Sequence, residues 1–186
     1  MPASRRMLIL GLGGLVASCA SPNPDLYVLA VRPGVIRQGA PKTIVVRQIA
    51  LARYLERPEI VRSSDDYRVV TLHNDWWGEP LGAMILRVLV EELDQRLPGS
   101  AVFADNGAIV PKLDVAVEIN LQRMDLNTDG LLQLTAQIAT DARSVRSQMV
   151  ALTVRPEDGT TRALVAAMSV AVGQLADAIA VLLTER

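Results

Sequence analysis

The chain has 186 residues, with 19 Lys and Arg against 20 Asp and Glu, and one His and one Cys. Two Trp, three Tyr and one Phe in a nearly neutral chain give no basic, aromatic-rich surface for nucleic acid. A lone Cys excludes an internal disulfide, a lone His excludes a His-rich metal site, and the length suits one ordinary domain with its own core.

The first element is an export signal. Met1–Arg6 carries two positive charges, Met7–Val16 is an apolar run of about ten residues, and Ala17-Ser18 are small. Such a run is far short of the ~20 residues that span a bilayer, and Gly11, Gly13 and Gly14 weaken it further as an anchor. Val16-Ala17-Ser18-Cys19 resembles the lipobox of bacterial lipoproteins, which implies cleavage before Cys19 and lipid, including palmitate, on that residue. Ala20 rather than Asp follows the cysteine, so the resemblance to Gram-negative sorting implies the outer membrane, periplasmic face. Ser4-Arg5-Arg6-Met7-Leu8 also loosely resembles a twin-arginine signal, leaving the export route open. The expected organisation is a signal peptide over 1–18 with its lipobox at 16–19, a lipidated tether over 19–25, and one domain over 26–186.

Beyond the proline-rich tether, Leu26–Val31 reads as a strand, 32–41 as a loop and Thr43–Leu51 as a second strand. Ala52–Val61 is a mixed-charge segment broken by Pro58, and Tyr67–His73 alternates as a strand. Leu81, Met84, Ile85, Val88, Leu89 and Leu93 make a helical stripe that Pro80 precedes and Pro98-Gly99 ends. Leu113–Gln122, Leu131–Asp141 and Val145–Arg155 read as a strand meander with a turn at Asn127–Gly130. Thr160 or Thr161 caps a last helix carrying Leu164, Met168, Val172, Leu175, Ile179 and Leu182 on one face. The predicted fold is α+β: a single, mostly antiparallel sheet with two main amphipathic helices packed on it. The alanine-rich remainder of the last helix suits packing inside one domain or between copies, which leaves a homo-oligomer open.

Chemistry is sparse. No Gly-x-Ser-x-Gly elbow, P-loop or dinucleotide fingerprint occurs. Asp65-Asp66 reads as a solvated turn, and Asp125, Asn127, Asp129 and Gly130 read as a hairpin turn because the acid that closes an EF-hand loop is missing. The reading is a non-enzyme with no metal and no cofactor beyond the Cys19 lipid.

Two motifs remain. Arg53–Val61 (Arg-Tyr-Leu-Glu-Arg-Pro-Glu-Ile-Val) resembles the Tyr-Leu-x-Arg-Pro-x-Ile-Val segment of the ABC-type transport auxiliary lipoproteins, the proteins similar to paraquat-inducible protein C. Asp75–Leu81 resembles that family's Trp-x-x-Pro-Leu start to the first long helix, and the order of lipobox, first strand, motifs, meander and closing helix is similar throughout. The chain departs from many relatives in lacking a tryptophan near Gln137-Ile138. The resemblance implies a non-enzymatic accessory of an ABC transporter and a substrate-binding protein of the mammalian-cell-entry (MCE) type, moving lipid between the inner and outer membranes. A lipid carrier and a structural envelope lipoprotein are the alternatives. Trp76 and Trp77 are consecutive, so an extended segment sends them to opposite sides. One is expected to fill the core beneath the helix start while the other lies on the surface or anchors a partner or lipid. Arg53 and Arg57, with Glu56, form either a local salt-bridged loop or a docking edge.

Overall fold

The structure, a computed structural model, describes residues 23–105, 112–141 and 145–185. Cys19 and the signal expected over 1–18 lie outside the described residues.

A long central strand organises the sheet. β7 (Val115–Leu126) pairs from Val117 onward with β8 (Leu132–Thr140), which pairs with β9 (Arg146–Val154), and both ladders are antiparallel. Along its other edge β7 receives three short parallel strands in succession: β2 (Thr43–Val46), β3 (Ala50–Leu51) and β4 (Glu59–Ser63). β6 (Ala101–Ala104) extends β2 in parallel, while β5 (Val70–Trp77) pairs antiparallel with β4 and parallel with β1 (Asp25–Tyr27). The α+β class predicted from the sequence holds; its longest ladders are antiparallel, and the short strands make the sheet mixed.

Two helices cover one face. α1 (Leu81–Arg96) and α2 (Thr161–Thr184) pack on each other, α1 reaches β6 and α2 reaches β8 and β9. Ile44, Val46, Ile60, Leu89, Leu121 and Leu175 are fully buried between the layers. Ala167, Ala171, Ala176 and Ala180 are buried too, so the alanine-rich side of α2 serves close packing inside the domain. α2 is long and apolar enough to cross a membrane, but two-thirds (67%) of its apolar window is buried here, as in a core helix. Thr160 caps it, its Oγ1 accepting from the Ala163 N–H at 3.1 Å. The turn at Asn127–Gly130 forms as expected: Asn127 Oδ1 accepts from the Asp129 and Leu131 N–H groups, and Gly130 takes φ +71°.

Several boundaries moved, each for a tertiary reason. The first strand stops at Tyr27, because the next N–H groups bond elsewhere, Leu29 to Met84 Sδ and Ala30 to Ser169 Oγ. The strand expected over 67–73 sits at 70–77, because Asp66 and Tyr67 both take left-handed φ values (56° and 58°) and close a turn. The mixed-charge segment holds strand β4, and β6 follows α1 where no strand was expected.

The loop after β1 becomes a strap across the α1–α2 pair. Arg96, 1% exposed, donates to Asp177 Oδ1 at 2.7 Å and to the carbonyls of Arg32, Glu92 and Gly173 at 3.0–3.1 Å. Glu92 Oε1 accepts from the Arg32 N–H at 2.7 Å, while its Oε2 is buried without a partner. Burial pushes the Glu92 carboxyl up to about 7, against the opposing pull of the Arg32 N–H and of Arg96. Gly34 is required here, since a Cβ at that position would meet the Arg96 guanidinium.

Candidate functional site

The two sequence motifs lie at the opposite end of α1. The first begins as a 3₁₀ turn, Arg53–Leu55, with Leu55 buried and the Ala52 N–H bonded to the Leu121 carbonyl at 2.9 Å. Tyr54 donates its hydroxyl to Asp125 Oδ2 at 2.7 Å, and Ser64 donates to the same oxygen at 2.8 Å. Arg123 bonds Asp125 Oδ1 through Nε at 3.0 Å and Asp65 Oδ1 through Nη2 at 2.7 Å. Asp125 is fully buried, so this network anchors the motif to β7 and to the turn before β5. Burial first, then the Asp125 carboxylate, pushes the Tyr54 hydroxyl up to about 12.

The second motif is joined to the first through the backbone. The Trp77 N–H donates to the Pro58 carbonyl at 2.7 Å, and the Gly78 N–H to the Tyr27 carbonyl at 2.8 Å. Consecutive residues of β5 then diverge as expected: Trp77 is 6% exposed and joins the core, while Trp76 is partly exposed, its Nε1 donating to the His73 carbonyl at 3.3 Å. His73 itself is exposed.

Between the motifs lies an open groove of about 780 Å³. Trp77 and Leu86 give it apolar surface, Glu56, Arg57 and Pro58 one side, and Gly78–Ala83 at the start of α1 the other. Gln48, Ile49 and Leu51 complete the lining. Pro80 is the helix N-cap and offers no side-chain cap, and Glu79 is already paired with Arg87 at 2.5 Å.

Of the four residues singled out from the sequence, the structure brings Trp77 and Arg57 together on this groove and leaves Arg53 and Trp76 outside its lining; Ile49, Leu51 and Leu86 were not singled out, because their apolar character is equally that of core residues. Trp76 lies on the other face of β5. Arg53 and Arg57 are both exposed, and among the described residues neither they nor Glu56 form an ion pair, so the local salt-bridged loop is not what the structure contains. Among the described residues no group of three or more His, Cys, Asp or Glu is placed to hold a metal. The site is an apolar trough with an exposed cation on its rim, a geometry suited to binding.

Residues 27–180 match the family model described as the ABC-type transport auxiliary lipoprotein component. The chain belongs to that family. Groove and Asp125 network both fall inside the matched span. The fold is shared with the crystal structure of an uncharacterized protein at TM-score 0.73 and 18% identity, over 86% of this chain and 97% of that one. It is shared also with a DUF330-family protein from Xanthomonas campestris, TM-score 0.65 and 19% identity, over 85% and 94% of the two chains. No curated protein matches. As a transport auxiliary lipoprotein, the chain is a component of an ABC-type transport system at the cell envelope.

Proposed function

We propose that this auxiliary lipoprotein is a non-enzymatic adaptor, held by lipid on Cys19 at the periplasmic face of the outer membrane. It docks an MCE-type periplasmic protein of an ABC lipid-transport system, through the groove between its two motifs. The observation that carries this reading is the convergence of both motifs on one open, apolar trough rimmed by the exposed Arg57. Aromatic and arginine side chains beside an apolar trough that a partner can desolvate are what protein interfaces use as anchors. A carrier that shields an acyl chain needs an enclosed cavity, whereas Trp77 and the packed core close the floor of this groove.

Crosslinking capture from intact envelopes tests the reading. The wild type should recover an MCE-type protein, and Arg57→Ala should lose most of that recovery while the domain stays folded. Unchanged capture by Arg57→Ala removes the groove from the interface. Absence of any MCE-type protein, together with phospholipid bound to the purified soluble domain, replaces the adaptor with the carrier.

A further inference from the structure

Three apolar side chains that the core does not use stand together where the chain enters the domain. Leu26 is 66% exposed and Val28 59%, although both sit beside Tyr27 and Leu29, which turn inward. The two-residue alternation of an extended segment puts Leu26 and Val28 on one side. β1 has β5 as its partner, and the register sets Leu26 directly beside Trp76. Val28 closes the group: its Cγ1 lies 3.2 Å from where a Cβ on Gly78 would stand. Trp76 satisfies its indole N–H on its own strand, at the His73 carbonyl, and leaves part of its ring open to solvent.

Covalent geometry says what lies opposite this patch. Six peptide steps separate Cys19 from Asp25, the first residue of β1, and at ~3.4 Å each they reach about 20 Å when fully extended. A lipid on Cys19 therefore confines Leu26, Val28 and Trp76 to the immediate vicinity of the bilayer. We propose that these three side chains form a second, non-covalent membrane contact, seated in the interfacial layer of the bilayer that holds the lipid anchor. The inference rests on the lipid-anchor reading above.

The chemistry favours lipid here. An indole with its N–H satisfied and an apolar ring exposed suits the boundary between headgroups and acyl chains. Asp25 is exposed next to Leu26, and Glu59 is the β4 residue paired with Trp76. An acidic flank gives no attraction to anionic lipid, so the contact is driven by apolar burial and works on neutral phosphatidylcholine. A patch this small does not hold a protein from solution; the tether supplies the effective concentration that makes it count. Because Trp76 and Trp77 face opposite sides of β5, seating the first on the membrane leaves the Trp77 side free for a partner.

The test uses the full acylated lipoprotein on phosphatidylcholine vesicles with brominated acyl chains, reading flotation and tryptophan emission together. Wild type is expected to float with its emission partly quenched. Trp76→Phe should float equally and lose most of that quenching, since the remaining Trp77 is buried and reports an intact fold. Leu26→Asp combined with Val28→Asp should float and also lose quenching, and wild-type quenching should be insensitive to salt. Flotation with unquenched wild-type emission, or quenching that persists in Trp76→Phe, overturns the contact and leaves the anchor standing. Wild type that does not float ends both. Capture of an MCE-type protein by an unquenched chain would retain the adaptor and sink the membrane contact.

Discussion

The two ends of α1 are built on opposite plans. At its C-terminal end Arg96 is buried and donates to Asp177 and to three backbone carbonyls, so strap, α1 and α2 share one network. At its N-terminal end the cap is a proline without a side-chain bond, the floor is apolar, and Arg57 stands exposed on the rim. One arginine holds the fold and the other is left without a partner among the described residues. Buried charge that is fully hydrogen-bonded specifies an arrangement, whereas exposed charge adds little to stability and stays available to a ligand.

Breaking the closed end should have the largest effect. Arg96→Ala empties a buried site and leaves the carbonyls of Arg32, Glu92 and Gly173 without their donor, and at about 1–3 kcal/mol for each unsatisfied group should cost about 3–5 kcal/mol in urea unfolding. A loss below about 1 kcal/mol would mean the network does not pin the strap. At the groove, Trp77→Ala should also cost about 3–5 kcal/mol because it empties the floor, while Trp76→Ala should cost far less. Comparable losses for the two would contradict their placement on opposite faces of β5.

Glu92 adds a pH dependence to the closed end. Its carboxyl titrates at 4.5 ordinarily and at about 7 when folded, so between those values the folded state holds a proton that the unfolded chain has lost. Stability should therefore fall as pH rises from about 4.5 to about 7, by on the order of 1–3 kcal/mol. Glu92→Gln should flatten that slope, measured as the urea midpoint at pH 5 and pH 8. The smallest change belongs to the open end: Arg57→Ala should leave stability within about 0.5 kcal/mol of wild type and act on partner capture alone.

Much of this was legible in the chain. The α1 stripe, the Thr160 cap, the Asn127–Gly130 turn and the divergence of Trp76 from Trp77 follow from local periodicity and turn chemistry, which travel with the sequence. β4 and β6 were not legible. They are short, β4 carries Glu59 and Arg62, and each becomes a strand because a partner edge is there to pair with, β5 and the end of β7 for β4 and β2 for β6. Glu92 and Arg96 did leave a trace, since both fall on the buried stripe of α1 at helical spacing from Ile85 and Leu89. Their partners, on the strap and on α2, come from 60 to 81 positions away along the chain.

Fold class, both helices, the long antiparallel ladders and the family motifs can be read from the chain, because each is written within a few consecutive residues. That the two motifs share one groove, that Trp76 sits beside Leu26, and which arginine is buried emerge only when the chain folds. Those outcomes depend on contacts between segments far apart in the chain, and short-range patterns carry no record of which distant segment arrives.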